Sequence, residues 1–99
     1  MTIKEKIRKI KEIELTIEKV REDLGPTQQA YFAAREKARA VRKKMAKLKN
    51  YSEKTGYEAW KICQAEHEAF RRHNIVCQKI SQLLKEQRII EEELENKQI

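Results

Sequence analysis

Apolar residues recur along most of this chain at steps of three and four residues. In the N-terminal segment these steps join Ile3, Ile7, Ile10, Ile13, Ile17, Val20 and Leu24. The mean spacing is about 3.5 residues, the period at which a helix presents one apolar stripe to a partner helix in a coiled coil. The whole sequence has only two Gly and one Pro, so the chain has few places to turn. The pattern predicts an all-α fold of long helices.

Two short breaks divide the predicted helical structure, one at Gly25-Pro26 and one between residues 50 and 56. Gly25-Pro26 is expected to end or sharply kink the first helix, because proline lacks an amide hydrogen and clashes with the preceding turn. Thr27 is the expected N-cap of the second helix, and Thr55 to Glu58 match the T-x-x-E capping box of the third. We expect one all-helical domain over residues 1–99, with helix 1 at about 3–24, helix 2 at about 27–50 and helix 3 at about 55–97.

The second and third predicted helices carry apolar stripes of their own. The stripe of helix 2 is rich in alanine, which lets a partner helix approach closely; it comprises Tyr31, Ala34, Ala38, Val41, Met45 and Leu48. Helix 3 has an early stripe of Trp60, Cys63, His67, Phe70, Asn74 and Cys77, and a later stripe of Val76, Ile80, Leu83, Gln87, Ile90 and Leu94. The residues expected to form the seam with a partner helix are Trp60, Phe70, Ile80, Leu83, Ile90 and Leu94.

Segments 3–50 and 55–97 are nearly equal in length, which favours a long antiparallel helical hairpin, coiled-coil-like, with its first arm kinked at Gly25-Pro26. In this arrangement helix 2 faces the early stripe of helix 3, and helix 1 faces the later stripe. The alternative is a three-helix bundle in which helix 1 folds back on helix 2. Further apolar residues lie beside the seams and indicate an additional partner surface: Leu15, Ile62, Ile75, Leu84 and Ile89.

Positive charge is concentrated in helix 2. Residues 35–49 contain eight Lys or Arg and one Glu, a surplus that equals the net charge of +7 of the entire chain. Such a surface attracts phosphate backbones or acidic proteins, and an aromatic ring on it can stack on a base. The plain alternative is the solvated face of an ordinary coiled coil. The candidate residues for binding nucleic acid or an acidic partner are Phe32, Arg35, Arg39, Arg42, Lys43 and Lys47, with Arg71 and Arg72 as a second, smaller patch.

Cys63 with His67, and His73 with Cys77, form two i, i+4 pairs, the spacing by which one helix offers two ligands to a zinc ion. The pairs lie about 15 Å apart along a continuous helix, so one chain cannot complete a four-ligand site. No CxxC knuckle accompanies them. We interpret these residues as part of the helix packing, with a zinc site shared by two chains as the alternative, and we expect no metal, no cofactor and no disulfide.

The sequence has no Gly-rich phosphate loop, no nucleophile elbow and no distinct carboxylate pair, and a helical hairpin offers few clefts. We therefore expect no catalytic residue, no small-molecule substrate and no enzymatic activity. The leading hypothesis is a helical interaction protein that docks on a larger protein or self-associates through its seams and basic helix 2. The alternatives are a nucleic-acid-binding protein that uses residues 35–49, or a small inhibitor of a nucleic-acid-processing enzyme.

The hydropathy of the chain bears on its location. No apolar run approaches the roughly 20 residues that span a bilayer, and the N-terminal residues lack the apolar core of a signal peptide. We therefore expect a soluble protein, cytoplasmic or otherwise intracellular, without a membrane partner.

Overall fold

The computed structural model describes residues 1–97, and within them every regular element is an α-helix. Helix α1 spans Ile3–Arg21, α2 spans Leu24–Lys47 and α3 spans Glu53–Lys97. The all-α prediction is therefore confirmed. Among these helices, none has an apolar stretch long enough to cross a lipid bilayer.

The chain forms two compact units, each built from two helical segments. Unit 1 combines Met1–Leu24 with the chain from Ile75 onward, and unit 2 is Gly25–Asn74. In unit 1, Nζ of Lys6 lies 3.1 Å from a carboxylate oxygen of Glu93. The side chains of Glu14 and Gln87 are also hydrogen-bonded there. Since the earlier residue of α1 contacts the later residue of α3, the two segments run antiparallel.

Unit 2 has the same antiparallel arrangement. The hydroxyl group of Thr27 lies 3.1 Å from Nδ1 of His73, and Arg42 donates a 2.7 Å hydrogen bond to Glu66. Helices α1 and α2 thus pair with different parts of α3. This pairing confirms the predicted helical hairpin with an interrupted first arm, rather than the three-helix bundle.

The interruption lies at Glu22 and Asp23, before Gly25-Pro26. Pro26 lies in the first turn of α2, where an amide hydrogen would have no partner within the helix, so its absence costs little. The prediction that Thr27 caps α2 is wrong, because the helix begins three residues earlier. Thr27 instead faces His73 in unit 2.

The connection between α2 and α3 covers residues 48–52, and Ser52 caps α3. Its hydroxyl oxygen accepts a 3.2 Å hydrogen bond from the amide of Thr55, and its carbonyl oxygen accepts one from the amide of Gly56. The capping box predicted at Thr55 to Glu58 is therefore wrong, since Thr55 already lies within the first turn. The helix starts one turn earlier than the box implied.

Replacing this cap tests the start of α3. Ser52→Ala removes the acceptor for the Thr55 amide and is expected to lower the free energy of unfolding by about 1 kcal/mol. Urea unfolding followed by far-ultraviolet circular dichroism measures the change. Ser81→Ala, at an exposed position inside α3, is the matched control and should be neutral within a few tenths of a kcal/mol. Equal losses in both variants would contradict the assignment of the cap.

The core of unit 1 is a small cluster of isoleucines. Ile13, Ile17 and Ile90 are 3%, 5% and 7% exposed, and Ile10 and Leu83 pack against them. Next to this cluster the side chain of Lys6 is 4% exposed, with its ammonium group at Glu93.

The predicted stripe of α1 is wrong at its first turn. Lys6 takes the core position that the sequence analysis assigned to Ile7, which is 45% exposed. Strict alternation of three and four steps back from Ile13 reaches Ile10 and then Lys6. A lysine is tolerated at such a position because its aliphatic stem packs while its charged end reaches a carboxylate.

The core of unit 2 is thinner and rests on alanine. Ala38 is completely buried, and the stripe predicted on α2 from Tyr31 to Met45 is the face that is buried or half-buried. Leu48 lies beyond the end of α2 and is 40% exposed. Small side chains at the centre of this face let the two helices approach closely.

The early stripe predicted on α3 is largely exposed, although Cys63 is half-buried and the ring of Phe70 contacts Tyr31 of α2. Trp60 is 55% exposed and Phe70 is 49% exposed, and His67, Asn74 and Cys77 are exposed as well. The half-buried residues of this part of α3 are Ala59, Ile62, Cys63, Glu66, Ala69 and His73. The reason is that the later stripe keeps one register along the whole helix, so that steps of three and four back from Val76 reach His73, Ala69 and Glu66.

Candidate functional site

The basic residues predicted on α2 converge on one side of unit 2. Arg35, Arg39, Arg42, Lys43 and Ala46 line a shallow groove together with Glu66 of α3. Arg39 lies four residues after Arg35, Arg42 and Lys43 lie three and four residues after Arg39, and Ala46 lies three residues after Lys43. This spacing places the five residues on one side of α2, next to the stripe that packs on α3. We call these five residues, together with Glu66, the basic groove.

Arg42 and Glu66 form an ion pair within the basic groove. An Arg42 guanidinium nitrogen lies 2.7 Å from Oε1 of Glu66, whose side chain is only 13% exposed. The hydrogen bond from Arg42 lowers the pKa of the Glu66 carboxyl below its usual value, and the same contact raises the pKa of Arg42. The Arg42 guanidinium is thus held in an ion pair with a residue of α3. The other cations that line the groove are Arg35, Arg39 and Lys43.

The ion pair gives the stability of unit 2 a pH dependence. Because the pKa of Glu66 is lower in the folded chain than its usual 4.5, its contribution is present above that value and disappears as the pH falls through the lowered pKa. We expect Glu66→Gln to melt at a lower temperature than the wild type at pH 7, with the difference closing as the pH falls from 4.5 through the lowered pKa of Glu66. Thermal melts across this range measure it, with Glu68→Gln as an exposed control on the same helix. A constant difference at every pH would contradict the ion pair.

Aromatic rings from α2 and α3 are exposed beside the basic groove. The ring of Tyr31 lies 5.9 Å from that of Phe32 and 5.3 Å, edge-on, from that of Phe70, between ring centroids. Tyr31 also stacks on His73 with nearly parallel rings. Phe32 and Phe70 are each 49% exposed. Tyr31 thus supports one half-exposed ring on each helix, one turn before Arg35 along α2.

The remaining basic residues predicted as binding residues lie elsewhere. Lys47 is exposed on α2 but does not line the basic groove, and Arg71 and Arg72 are exposed on α3. Arg72 lines a different depression of unit 2, formed mainly by Pro26, Thr27, Ala30, Ala65 and Ala69. The predicted second basic patch is therefore not continuous with the groove.

The structure does not bring the Cys and His pairs together as metal ligands. Cys63 is half-buried and His67 exposed, while His73 faces α2 and Cys77 is exposed. The Nδ1 atom of His73 already pairs with the hydroxyl group of Thr27. Among the residues that the structure describes, no group of three or more His, Cys, Asp or Glu side chains could hold a metal ion. Neither Cys63 nor Cys77 forms a disulfide bond in the described part of the chain.

A second exposed feature of unit 2 is an aromatic pair at the start of α3. Tyr57 and Trp60 are 56% and 55% exposed, and their rings stack with centroids 5.8 Å apart. Nζ of Lys61 lies 5.4 Å from the centre of the Tyr57 ring. Two large rings on the outside of a helix are unusual for a surface that only contacts water.

Sequence reasoning missed two residues of these sites. Glu66 was one of many glutamates, and the signal that marks it is its position in the register that runs back from Val76. Tyr57 was assigned to a capping box, although its spacing of three residues from Trp60 places both rings on one side of α3.

Comparison with protein-family models, with curated proteins and with solved structures finds no significant match to this chain.

Proposed function

We propose that this protein is a non-enzymatic interaction module, a helical hairpin that docks on another protein chain through apolar side chains that its own fold leaves uncovered. The observation that carries the proposal is the balance between buried and exposed apolar residues. In the described part of the chain the buried ones are Ile13, Ile17, Ala38 and Ile90. Large apolar residues that are at least 40% exposed are several times more numerous, and no large side chain is completely buried.

The surface area supports the same conclusion. The accessible surface of the chain is 8248 Å², whereas a compact monomer of its mass of 11.8 kDa is expected to expose about 5,900 Å². Apolar surface left in water contributes nothing to folding, while its burial against a partner is worth about 25 cal/mol per Å². A hairpin of this kind has much to gain from a partner.

Exposed apolar side chains occur in both units. In unit 2 the Tyr57–Trp60 pair is the natural anchor, because tyrosine and tryptophan are the residues that most often dominate binding energy at protein interfaces. In the described part of unit 1 the exposed large apolar residues are Met1, Ile3, Ile7, Leu15, Ile75, Leu84 and Ile89. The mechanism is helix-on-helix packing against a second copy of this chain or a larger protein, with the charged rim steering the approach.

Site-specific photo-crosslinking in cells tests the proposal. A photoreactive phenylalanine at Trp60, Leu84 or Ile89 is expected to crosslink to one defined protein, and the mass of the product tells self-association from a different partner. The matched controls carry the same group at Lys37 and Lys44, exposed polar positions of α2 with no exposed large apolar residue of that helix one turn away, and should remain uncrosslinked. Equal crosslinking at all five positions, or none at any, would contradict the proposal.

A further inference from the structure

We infer that the basic groove binds single-stranded nucleic acid, with successive phosphates along Arg35, Arg39 and Lys43 and bases stacked on Phe32 and Phe70. This inference does not depend on the docking function proposed above. That function rests on apolar side chains outside the groove, whereas this one rests on the charges and rings beside it.

Positive charge is distributed unevenly between the two units. Unit 2, Gly25–Asn74, contains twelve Lys or Arg and five Glu. Unit 1 contains eleven basic and eleven acidic residues. The whole net charge of +7 therefore belongs to unit 2, and an anionic polymer is attracted to that unit at long range.

The cations of the basic groove are regularly spaced. Arg35, Arg39 and Lys43 are separated by one helical turn each, about 6 Å along the helix axis, and all three line one groove. Among the described residues that line the groove, the only carboxylate is that of Glu66, and Arg42 pairs with it at 2.7 Å. Outside the lining, a carboxylate oxygen of Glu36 lies 4.0 Å from the Arg39 guanidinium, a long contact between two exposed side chains. A regular row of cations above a neutralised floor suits a repeating anion such as a phosphate backbone.

Two aromatic rings lie beside this row of cations. Phe32 and Phe70 are about half exposed, and both rest on Tyr31, so their positions are fixed before a ligand arrives. A base stacked on an aromatic side chain contributes about 1–3 kcal/mol, with little dependence on sequence. Unpaired bases are free to stack on these rings, whereas the bases of a duplex are already stacked on one another.

An acidic helix of a partner protein fits the groove less well. Recognition of an amphipathic helix requires an apolar groove for its apolar face. The floor here is the Arg42–Glu66 ion pair, and of the lining residues only Ala46 is apolar. The charges alone would therefore have to hold such a helix, while a single strand also gains the stacking on the two rings.

Fluorescence anisotropy with labelled oligothymidylate and oligouridylate tests the inference. Contacts from three cations predict that the affinity falls about 20-fold between 50 and 200 mM salt. A blunt duplex of the same length is expected to bind more weakly than the single strands. A labelled polyglutamate peptide serves as the acidic-protein probe and is expected to bind more weakly still.

Variants assign the site. Arg35→Glu, Arg39→Glu and Lys43→Glu combined should abolish measurable binding. The same change of net charge at Lys11, Lys79 and Lys85, all exposed in unit 1, should leave most of the affinity. Phe32→Ala is expected to lose at least 5-fold and Phe32→Trp to keep the affinity, with thermal melts unchanged in both.

Three results would overturn the inference: no binding of single strands at 50 mM salt, equal losses in the two triple variants, or tighter binding of polyglutamate than of either oligonucleotide. The last result would assign the groove to an acidic protein instead. Failure in any of these forms leaves the crosslinking test of the apolar surface unaffected, because that test uses residues outside the groove.

Discussion

Ile17→Ala is expected to lower the free energy of unfolding by about 2–4 kcal/mol, one of the largest losses that a single truncation should cause in unit 1. Ile17 is 5% exposed and belongs to the cluster with Ile13 and Ile90. Truncation removes its transfer free energy and leaves a cavity that the neighbouring isoleucines fill only in part. Because the cluster has only three buried members, this loss is a large share of the stability of the unit.

The matched control is Leu15→Ala. Leu15 has the same number of carbon atoms as Ile17 and lies two residues away on α1, but it is 60% exposed, so the change should stay within about 0.5 kcal/mol. Urea unfolding by circular dichroism compares the two variants at equal protein concentration. Similar losses would mean that α1 does not present Ile17 to α3, or that Leu15 is covered by another chain.

The second explanation can be separated from the first. Coverage of Leu15 by a partner makes the melting temperature rise with protein concentration, because association stabilises the folded state by mass action. A wrong orientation of α1 gives losses that do not depend on concentration. The pair of variants therefore tests the fold of unit 1 and, at the same time, reports on the docking surface.

The hairpin and the position of the basic residues follow from local patterns, which is why the sequence predicts them. Scarce Gly and Pro, heptad steps and two breaks suffice for α1, α2 and α3. The stripe from Tyr31 to Met45 and the one from Val76 to Leu94 are also visible, because apolar residues occupy nearly every core position there. The exposed row of Arg35, Arg39 and Lys43 lies beside the first stripe and follows from the same spacing.

The early part of α3 could not be predicted in the same way, because large apolar residues there lie outside the core. The pattern of large apolar residues indicates a stripe that contains Trp60 and Phe70. In the structure the half-buried positions are instead those of Ala59, Glu66 and Ala69. Which residues of this stretch are buried depends on the facing helix. The alanines of α2 leave room only for small side chains such as Ala59 and Ala69, and Arg42 of α2 pairs with the carboxylate of Glu66. Steps of three and four residues taken backwards from Val76, without interruption, identify these half-buried positions correctly.

Helix ends were missed for a different reason. Ser52 and Thr55 both carry a side chain that can cap a helix, and capping free energies of the two residue types differ by less than 1 kcal/mol. The sequence cannot rank two such signals three residues apart. The sequence also cannot rank Lys6 and Ile7 as candidates for the core position. The two residues are neighbours, and a shift of the register by one residue places one or the other in the core.

Ala38→Leu is the corresponding test of unit 2 and is expected to cost about 1–3 kcal/mol. Ala38 is completely buried between α2 and α3, so a larger side chain must push the helices apart. Ala40→Leu introduces the same atoms at an exposed position of α2, and the two residue types have similar helix propensity, so this control should be nearly neutral.

The same variant connects the packing of unit 2 to its basic groove. Arg42 lies one turn beyond Ala38 and reaches Glu66 at 2.7 Å because the alanine lets α2 approach α3. Separation of the helices lengthens that ion pair, so Ala38→Leu should also raise the pKa of Glu66 towards its usual value, a change that titration by nuclear magnetic resonance detects. If stability falls while the Glu66 titration stays as in the wild type, the ion pair forms independently of the close approach at Ala38. If both change together, the alanine-rich face of α2 sets the depth of the groove as well as the stability of the unit.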